Sequence, residues 1–181
     1  GCSALTSVVI PSSVTSMGRN PFDACPGITS IVVDENNPKY DSRNNCNGII
    51  ETAANRLITG CQNTIIPYGV TDIDHAFSGC SSLKQITIPN TVTNIGTYTF
   101  ESCSLTSIVI PKSVTSIGDR AFSLCPLSSI VVEEGNPKYD SRNNCNAIII
   151  TSTNTLLAGS NNTIIPEGIT SIGDNAFYNC T

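Results

Sequence analysis

Apolar residues recur along this chain in a fixed frame, and the frame predicts its elements. Leu83-x-x-Ile86-x-Ile88-Pro89, followed by Val92-x-x-Ile95-Gly96 and Phe100-x-x-Cys103, returns as Leu105-x-x-Ile108-x-Ile110-Pro111, Val114-x-x-Ile117-Gly118 and Phe122-x-x-Cys125. Pro89 and Pro111 are 22 residues apart. The same frame opens the chain as Leu5, Val8, Ile10, Pro11, Val14, Met17, Gly18, Phe22 and Cys25, and closes it as Ile165, Pro166, Ile169, Ile172, Gly173, Phe177 and Cys180. A version running from Ile66-Pro67 to Phe77 and Cys80 has lost one residue before its Phe. Side chains alternate along a strand, so L-x-x-I-x-I sends Leu and both Ile inward and leaves the residue between the last two outside. The Pro cannot donate to a ladder and ends the strand, the Gly is expected to permit a turn, and the Phe plugs the far side of the core. Each unit is too small to bury its own apolar face and must borrow one from its neighbours, which predicts a solenoid with its strands in a parallel sheet on one face.

Two units depart from the frame. Ile28-x-x-Ile31-x-Val33 and Leu127-x-x-Ile130-x-Val132 run into the inserts Asn37-Pro38-Lys39-Tyr40-Asp41-Ser42-Arg43-Asn44-Asn45-Cys46-Asn47 and Asn136-Pro137-Lys138-Tyr139-Asp140-Ser141-Arg142-Asn143-Asn144-Cys145-Asn146. Tyr40 to Tyr139 and Pro67 to Pro166 are both 99 residues, so a super-repeat overlies the short one. Within the first insert, Gly48-Ile49-Ile50 and Leu57-Ile58-Thr59 flank the polar Thr52-Ala53-Ala54-Asn55 and predict a β-hairpin. The whole chain, 1–181, therefore forms one domain of about seven coils, five regular and two carrying hairpins. Both ends fall inside a repeat without a polar cap, so a fragment of a longer protein is expected.

Composition agrees with a β-rich solenoid and narrows the partners. Ile and Val are prominent among 39% hydrophobic residues, and β-branched side chains favour strands over helices. Charged residues are only 13% and the net charge is -5, which lacks the basic balance that neutralises phosphates, so no nucleic-acid partner is expected. No apolar run approaches the roughly 20 residues of a membrane span, and no membrane insertion is expected. The opening Gly1-Cys2-Ser3-Ala4 shows no signal peptide.

The combination of L-x-x-I-x-I-P, V-x-x-I-G, A-F-x-x-C and the Asn-Pro-Lys-Tyr-Asp-Ser insert resembles the BspA-like leucine-rich repeats of surface proteins from anaerobic bacteria and some mucosal protists. The resemblance covers essentially the whole chain and includes Ala76-Phe77, Ala121-Phe122 and Ala176-Phe177. Pro21 and Thr99 replace the Ala before Phe, and Met17 replaces an Ile. It implies a curved right-handed leucine-rich-repeat solenoid of the α/β-horseshoe type with little helix, at the cell surface or secreted. It further implies adhesion to a protein or glycan of host or neighbouring cells.

Nine cysteines raise the question of disulfides. Cys25, Cys80, Cys103, Cys125 and Cys180 share one station, three residues after Phe, which predicts a column of buried free thiols inside the stack. A hairpin turning at Thr52 to Asn55 would set Cys46 opposite Cys61, making a cross-strand disulfide feasible. The alternative is two buried thiols, and the equivalent Cys145 and Ser160 cannot bond.

Chemistry of other kinds has little support. No C-x-x-C exists, and His75, the only histidine, is expected to be a turn substitution, so no metal site is assigned. Asp34, Glu35, Asn37 and Asp41 could offer oxygens to calcium but match no loop motif and fit a solvated turn. Asn161-Asn162-Thr163 and Asn179-Cys180-Thr181 are glycosylation sequons, of consequence only in a eukaryotic secretory pathway. No nucleophile has a base marked out beside it, so no catalytic residue and no cofactor are assigned, and the reading is a binder. The outward residues Val9, Val32, Ile65, Thr87, Val109, Val131 and Ile164 form a largely β-branched row, beside a polar row that includes Gln85. This sheet face is the first candidate contact surface. The inserts, through Lys39, Tyr40, Arg43, Lys138, Tyr139 and Arg142, are the second. A monomer is expected, and the alternative role is a rigid spacer presenting another module.

Overall fold

The computed structural model describes residues 1–178. Its strands, in chain order, are β1 (Ser7–Ile10), β2 (Ser30–Val33), β3 (Tyr40–Asp41), β4 (Gly48–Glu51), β5 (Arg56–Gly60), β6 (Asn94–Ile95), β7 (Ser107–Ile110), β8 (Ser116–Ile117), β9 (Ser129–Val132), β10 (Tyr139–Asp140), β11 (Ala147–Ile150), β12 (Thr155–Gly159) and β13 (Ser171–Ile172). The only helical elements among the described residues are two single 3-10 turns, Arg43–Asn45 and Arg142–Asn144. The chain is a β-solenoid: the strand stations from Val9 to Ile164 mark out about six full turns.

Each turn buries the residues that the frame sends inward. Leu83, Val92, Ile95, Phe100 and Leu105 are completely buried, and Ile88, Cys103, Ile108 and Ile110 join them in one continuous core. On the side opposite the strand stations, Phe77, Phe100 and Phe122 stack with centroids 5.4 and 5.7 Å apart. Where an insert replaces a Phe-bearing segment, a glycine stands in. A Cβ on Gly60 would lie 2.3 Å from the Phe77 ring, and one on Gly159 would lie 2.2 Å from Phe177.

The expected parallel sheet is interrupted. β1 pairs with β2 and β7 with β9 in register, whereas the stations around Ile65, Thr87 and Ile164 belong to no strand. The inserts account for two of the breaks. Ile65 donates its N–H to the Cys46 carbonyl at 3.0 Å, and Ile164 donates to Cys145 at 3.1 Å, so each of these segments joins the insert before it instead of a sheet neighbour. A second parallel ladder runs along the V-x-x-I stations, where β6 pairs with β8 and Asp72 bridges Arg56 to Asn94.

The turn that recurs in each coil is not made by the glycine of the I-G pair. Two residues before each Phe the chain enters the left-handed region, at Asn20, His75, Tyr98, Arg120 and Asn175, with φ between 36° and 59°. His75 thus occupies a turn station, as do residues with no intrinsic preference for that conformation. The glycines instead permit close approach. A Cβ on Gly118 would lie 2.4 Å from the Thr97 amide nitrogen, and one on Gly96 would lie 2.0 Å from an Asp74 carboxylate oxygen.

Each insert folds into three antiparallel strands. β4 pairs with β5 and β11 with β12, with a register shift between Ile49 and Ile50 that recurs between Ile148 and Ile149. Beyond the shift Gly48 faces Gly60, which sets Cys61 level with Asn47. Cys61 points its thiol at the Asn47 carbonyl, 3.5 Å away, while Cys46 bonds to Gly48 at 3.5 Å on the other side of the hairpin. Of the two alternatives for Cys46 and Cys61, the structure has the pair of buried free thiols and not the cross-strand disulfide. Burial pushes the Cys46 thiol up to about 11. Among the described residues, no helix is long and apolar enough to cross a membrane.

Candidate binding surface

The outward row is exposed as the strand alternation requires. Val9 and Val32 are adjacent in the β1–β2 ladder at 70% and 46% exposure, and Val109 and Val131 are adjacent in β7–β9 at 50% and 46%. Ile65 and Ile164 stand still further out, at 75% and 74%. Gln85 and Thr87 are also exposed, and they share a groove with Gln62, Asn63 and Ile65 where the ladder is broken. The row is thus divided by polar groups rather than being one continuous apolar stripe. Tyr68, exposed at 76%, adds an aromatic ring to the Ile65 coil. Its signal in the sequence is its station, directly after the Pro, where other coils carry Ser12, Asn90, Lys112 and Glu167.

The insert residues are occupied by the fold itself. Tyr40 and Tyr139 are buried, at 4% and 3% exposure, so neither ring is available to a partner. Each joins the core because the strand that carries it pairs with the hairpin, and the Tyr139 hydroxyl accepts the Ile117 N–H at 3.1 Å. Arg43 and Arg142 are half-buried and tied to acids. Asp140 accepts Arg142 Nε at 2.8 Å and Nη2 at 2.6 Å, along with the Thr151 hydroxyl at 2.9 Å, while Arg142 Nη1 donates to Asn154 at 3.0 Å. Asp41, Arg43, Thr52 and Asn55 repeat this arrangement. The Arg142 guanidinium holds the Asp140 carboxyl below its ordinary value. Burial raises that of Asp41, but hydrogen bonds from Arg43 and Thr52 outweigh it and leave the net direction downward.

Other insert residues are similarly engaged. Ser42 and Ser141 accept the N–H groups of Val33 and Val132 at 2.8 and 2.9 Å, joining each insert to its strand. Asn44, Asn45, Asn47, Asn143, Asn144 and Asn146 all hold left-handed backbones, a conformation that Asn tolerates better than most residues. Asp34 caps the Asn36 N–H at 2.8 Å, and Asn37 spends its amide on backbone groups, so the oxygens considered for calcium are largely employed in the turn. Lys39 and Lys138 remain exposed, each with its ammonium over the neighbouring tyrosine ring, at 5.6 and 5.4 Å. The identity of the two inserts therefore has a structural cause at nearly every position. A cleft lined by Val32, Asp34, Pro38, Arg43, Asn45 and Asn47 connects the first insert with the sheet row.

The cysteine column is present over three successive coils. Cys80, Cys103 and Cys125 are buried free thiols, and Cys25 is half-buried. Cys180, the fifth member, and the sequon at Asn179 lie outside the described residues.

A coiled stack with these stations is a leucine-rich-repeat architecture, and sequence and structural comparisons assign it further. The profile of the BspA type leucine rich repeat region matches residues 1–52 and 48–181 in six copies, and the chain belongs to this family. No match among curated proteins is significant. A leucine-rich repeat protein from Eubacterium ventriosum superimposes with a TM-score of 0.60 at 28% identity, covering 70% of this chain and 36% of that one. A leucine rich cell surface protein from Faecalibacterium prausnitzii gives 0.60 at 26% identity, covering 97% and 59%. The pneumococcal vaccine antigen PcpA shares the fold, with a TM-score of 0.60 at 18% identity over 97% of this chain and 43% of that one. The chain thus spans only part of the length of each of these structures.

Proposed function

We propose that this solenoid is a cell-surface or secreted protein-interaction module that adheres to a protein or glycan of host or neighbouring cells through its sheet face. The observation that carries the reading is the exposed, in-register row of Val9 with Val32 and Val109 with Val131, flanked by Ile65 and Ile164. Aliphatic side chains exposed to 46% or more on a rigid sheet provide buriable area without the cost of ordering a flexible loop. The groove bearing Gln62, Asn63, Gln85 and Thr87 adds hydrogen-bonding groups between the apolar patches, which suits either class of partner. Membership of the BspA-type family, together with the cell-surface protein of Faecalibacterium prausnitzii among its structural relatives, supports a surface location. No catalytic residue enters this reading.

The inserts stand second as a contact surface, and their contribution narrows to Lys39 and Lys138 with the outer edges of Arg43 and Arg142. The test is binding of the isolated chain to immobilised extracellular-matrix proteins and mucin glycans, with Val109→Glu and Val131→Glu as variants. Loss of binding in these variants with an unchanged melting temperature supports the reading. Failure to bind any of the panel favours a spacer.

A further inference from the structure

The third break in the sheet row, at Thr87, is not made by an insert. No backbone N–H or C=O of residues 84–88 has a hydrogen-bond partner among the described residues, and β7, in the next coil, pairs only with β9. The same coil is closed elsewhere. Asp72 bridges Arg56 to Asn94 on the V-x-x-I side, and Phe77 stacks on Phe100. The Ser104 hydroxyl donates to the Ser81 carbonyl at 2.7 Å before the segment, and the Thr91 hydroxyl to the Val70 carbonyl at 2.8 Å after it. The gap is therefore built into the stack and is not a loose loop. It forms a groove of about 580 Å³ lined by residues 62–65 and 85–87.

The walls of this groove present main chain. In the intact ladders the Ile10 and Ile110 carbonyls bond forward to Asp34 and Glu133, whereas Ile65 sends its N–H back to Cys46. Backbone groups alternate in direction along a strand, so Thr87, at the Ile65 station, and Gln85, two residues before it, face back into the groove. Across from them the Ile66 N–H and the Thr64 carbonyl are also unpaired. Ile86 lies in the groove half-buried, although its counterparts Ile31, Ile108 and Ile130 are buried. Unpaired donors and acceptors along a sheet edge are a template for another strand, and an apolar floor between them suits one with aliphatic side chains at alternate positions. We propose that this groove captures an extended segment of a partner protein, whose main chain pairs with Gln85 and Thr87 on one edge and with Thr64 and Ile66 on the other. The inference rests on the sheet face being the contact surface, and it makes the partner a protein and not a glycan.

The test follows amide hydrogen exchange by nuclear magnetic resonance on the folded chain, with heptapeptides that alternate Thr with Val, Ile or Phe between terminal lysines. Exchange at Gln85 and Thr87 is expected to slow by roughly tenfold or more at saturating peptide, because these amides gain partners. Peptides N-methylated at alternate residues keep the side chains but lose main-chain donors, and they should leave exchange unchanged. Thr87→Pro removes an N–H that has no partner in the free chain, and it should abolish the protection of Gln85 at an unchanged melting temperature. Unchanged exchange with every peptide, equal protection by the methylated peptides, or protection by mucin glycans in place of peptides would overturn the proposal. These wild-type measurements decide even if the variant does not fold. If the wild-type chain adheres to the matrix panel and Val109→Glu does not, while no peptide protects the amides, strand capture falls and the sheet-face reading stands. Equal adhesion of the two proteins would remove the sheet-face reading instead.

Discussion

Asn136 holds its amide nitrogen 2.9 Å from the carbonyl oxygen of Val114, a residue of the preceding coil, and at the same distance from that of Pro111. Its amide oxygen accepts the N–H groups of Lys138 and Tyr139 at 2.9 and 2.8 Å. One side chain thereby uses two donors and two acceptor positions to fasten the insert to its neighbour, and Asn37 repeats the arrangement on Pro11 and Val14. Asn136→Ala leaves these backbone groups without partners, at about 1–3 kcal/mol for each that stays dry. The melting temperature is expected to fall by roughly 5–10 °C, from about 2–4 °C per kcal/mol for a chain of this size. An unchanged melting curve in calorimetry would contradict the clamp.

Asp41 and Asp140 link stability to pH. Both carboxyls are held below their ordinary value in the fold, so the folded state binds protons more weakly than the unfolded one. The stabilisation from these pairs is present above the unfolded Asp value of about 4 and is lost as pH falls through the lower folded values. Urea denaturation at successive pH values should show an acid limb whose slope is reduced in Asp140→Asn, which no longer takes up that proton. Equal slopes for the two proteins would exclude the linkage.

The left-handed station before each Phe makes a stabilising substitution available. Tyr98 sits there at φ 55°, where a residue other than Gly or Asn bears a cost of roughly 1 kcal/mol. Its backbone N–H donates to Asp119 at 3.1 Å, a bond that does not depend on the side chain. Tyr98→Asn is expected to raise the melting temperature by a few degrees, partly offset by loss of the edge contact with His75. A lower melting temperature would mean that the ring contact outweighs the backbone preference.

Two glycines at the same sequence station separate close approach from flexibility. Gly118→Ala forces a methyl group against the Thr97 backbone and should destabilise by more than 1 kcal/mol, whereas a Cβ on Gly18 meets nothing within 4 Å. Gly18→Ala should be neutral or stabilising by about 0.4–1 kcal/mol, because it restricts the unfolded chain. Comparable effects of the two substitutions would refute this difference.

The features legible in the sequence are those fixed within one coil. The spacing of Leu83, Ile86 and Ile88 gives the inward face, the residue between the last two gives the exposed row, and the 99-residue offset gives the matched hairpins. What was not legible depends on neighbouring coils or on a local irregularity. The role of Gly118 follows from where Thr97 lies, and the left-handed turn is carried by Tyr98 and Arg120, whose side chains give no hint of it. A single register shift at Ile49 moves Cys61 away from Cys46, and the burial of Tyr40 follows from strand pairing that its polar surroundings in the sequence conceal.

The most direct test of the central claim compares two sets of glutamate substitutions in one adhesion assay, on the extracellular-matrix and mucin panel. One set places Glu at Val9, Val32, Val109 and Val131, and the other places Glu at Lys39 and Lys138. The sheet-face account predicts that binding is lost in the first set and largely retained in the second, with both proteins folded by circular dichroism. Retention of full binding by the first set, or loss confined to the second, would contradict it.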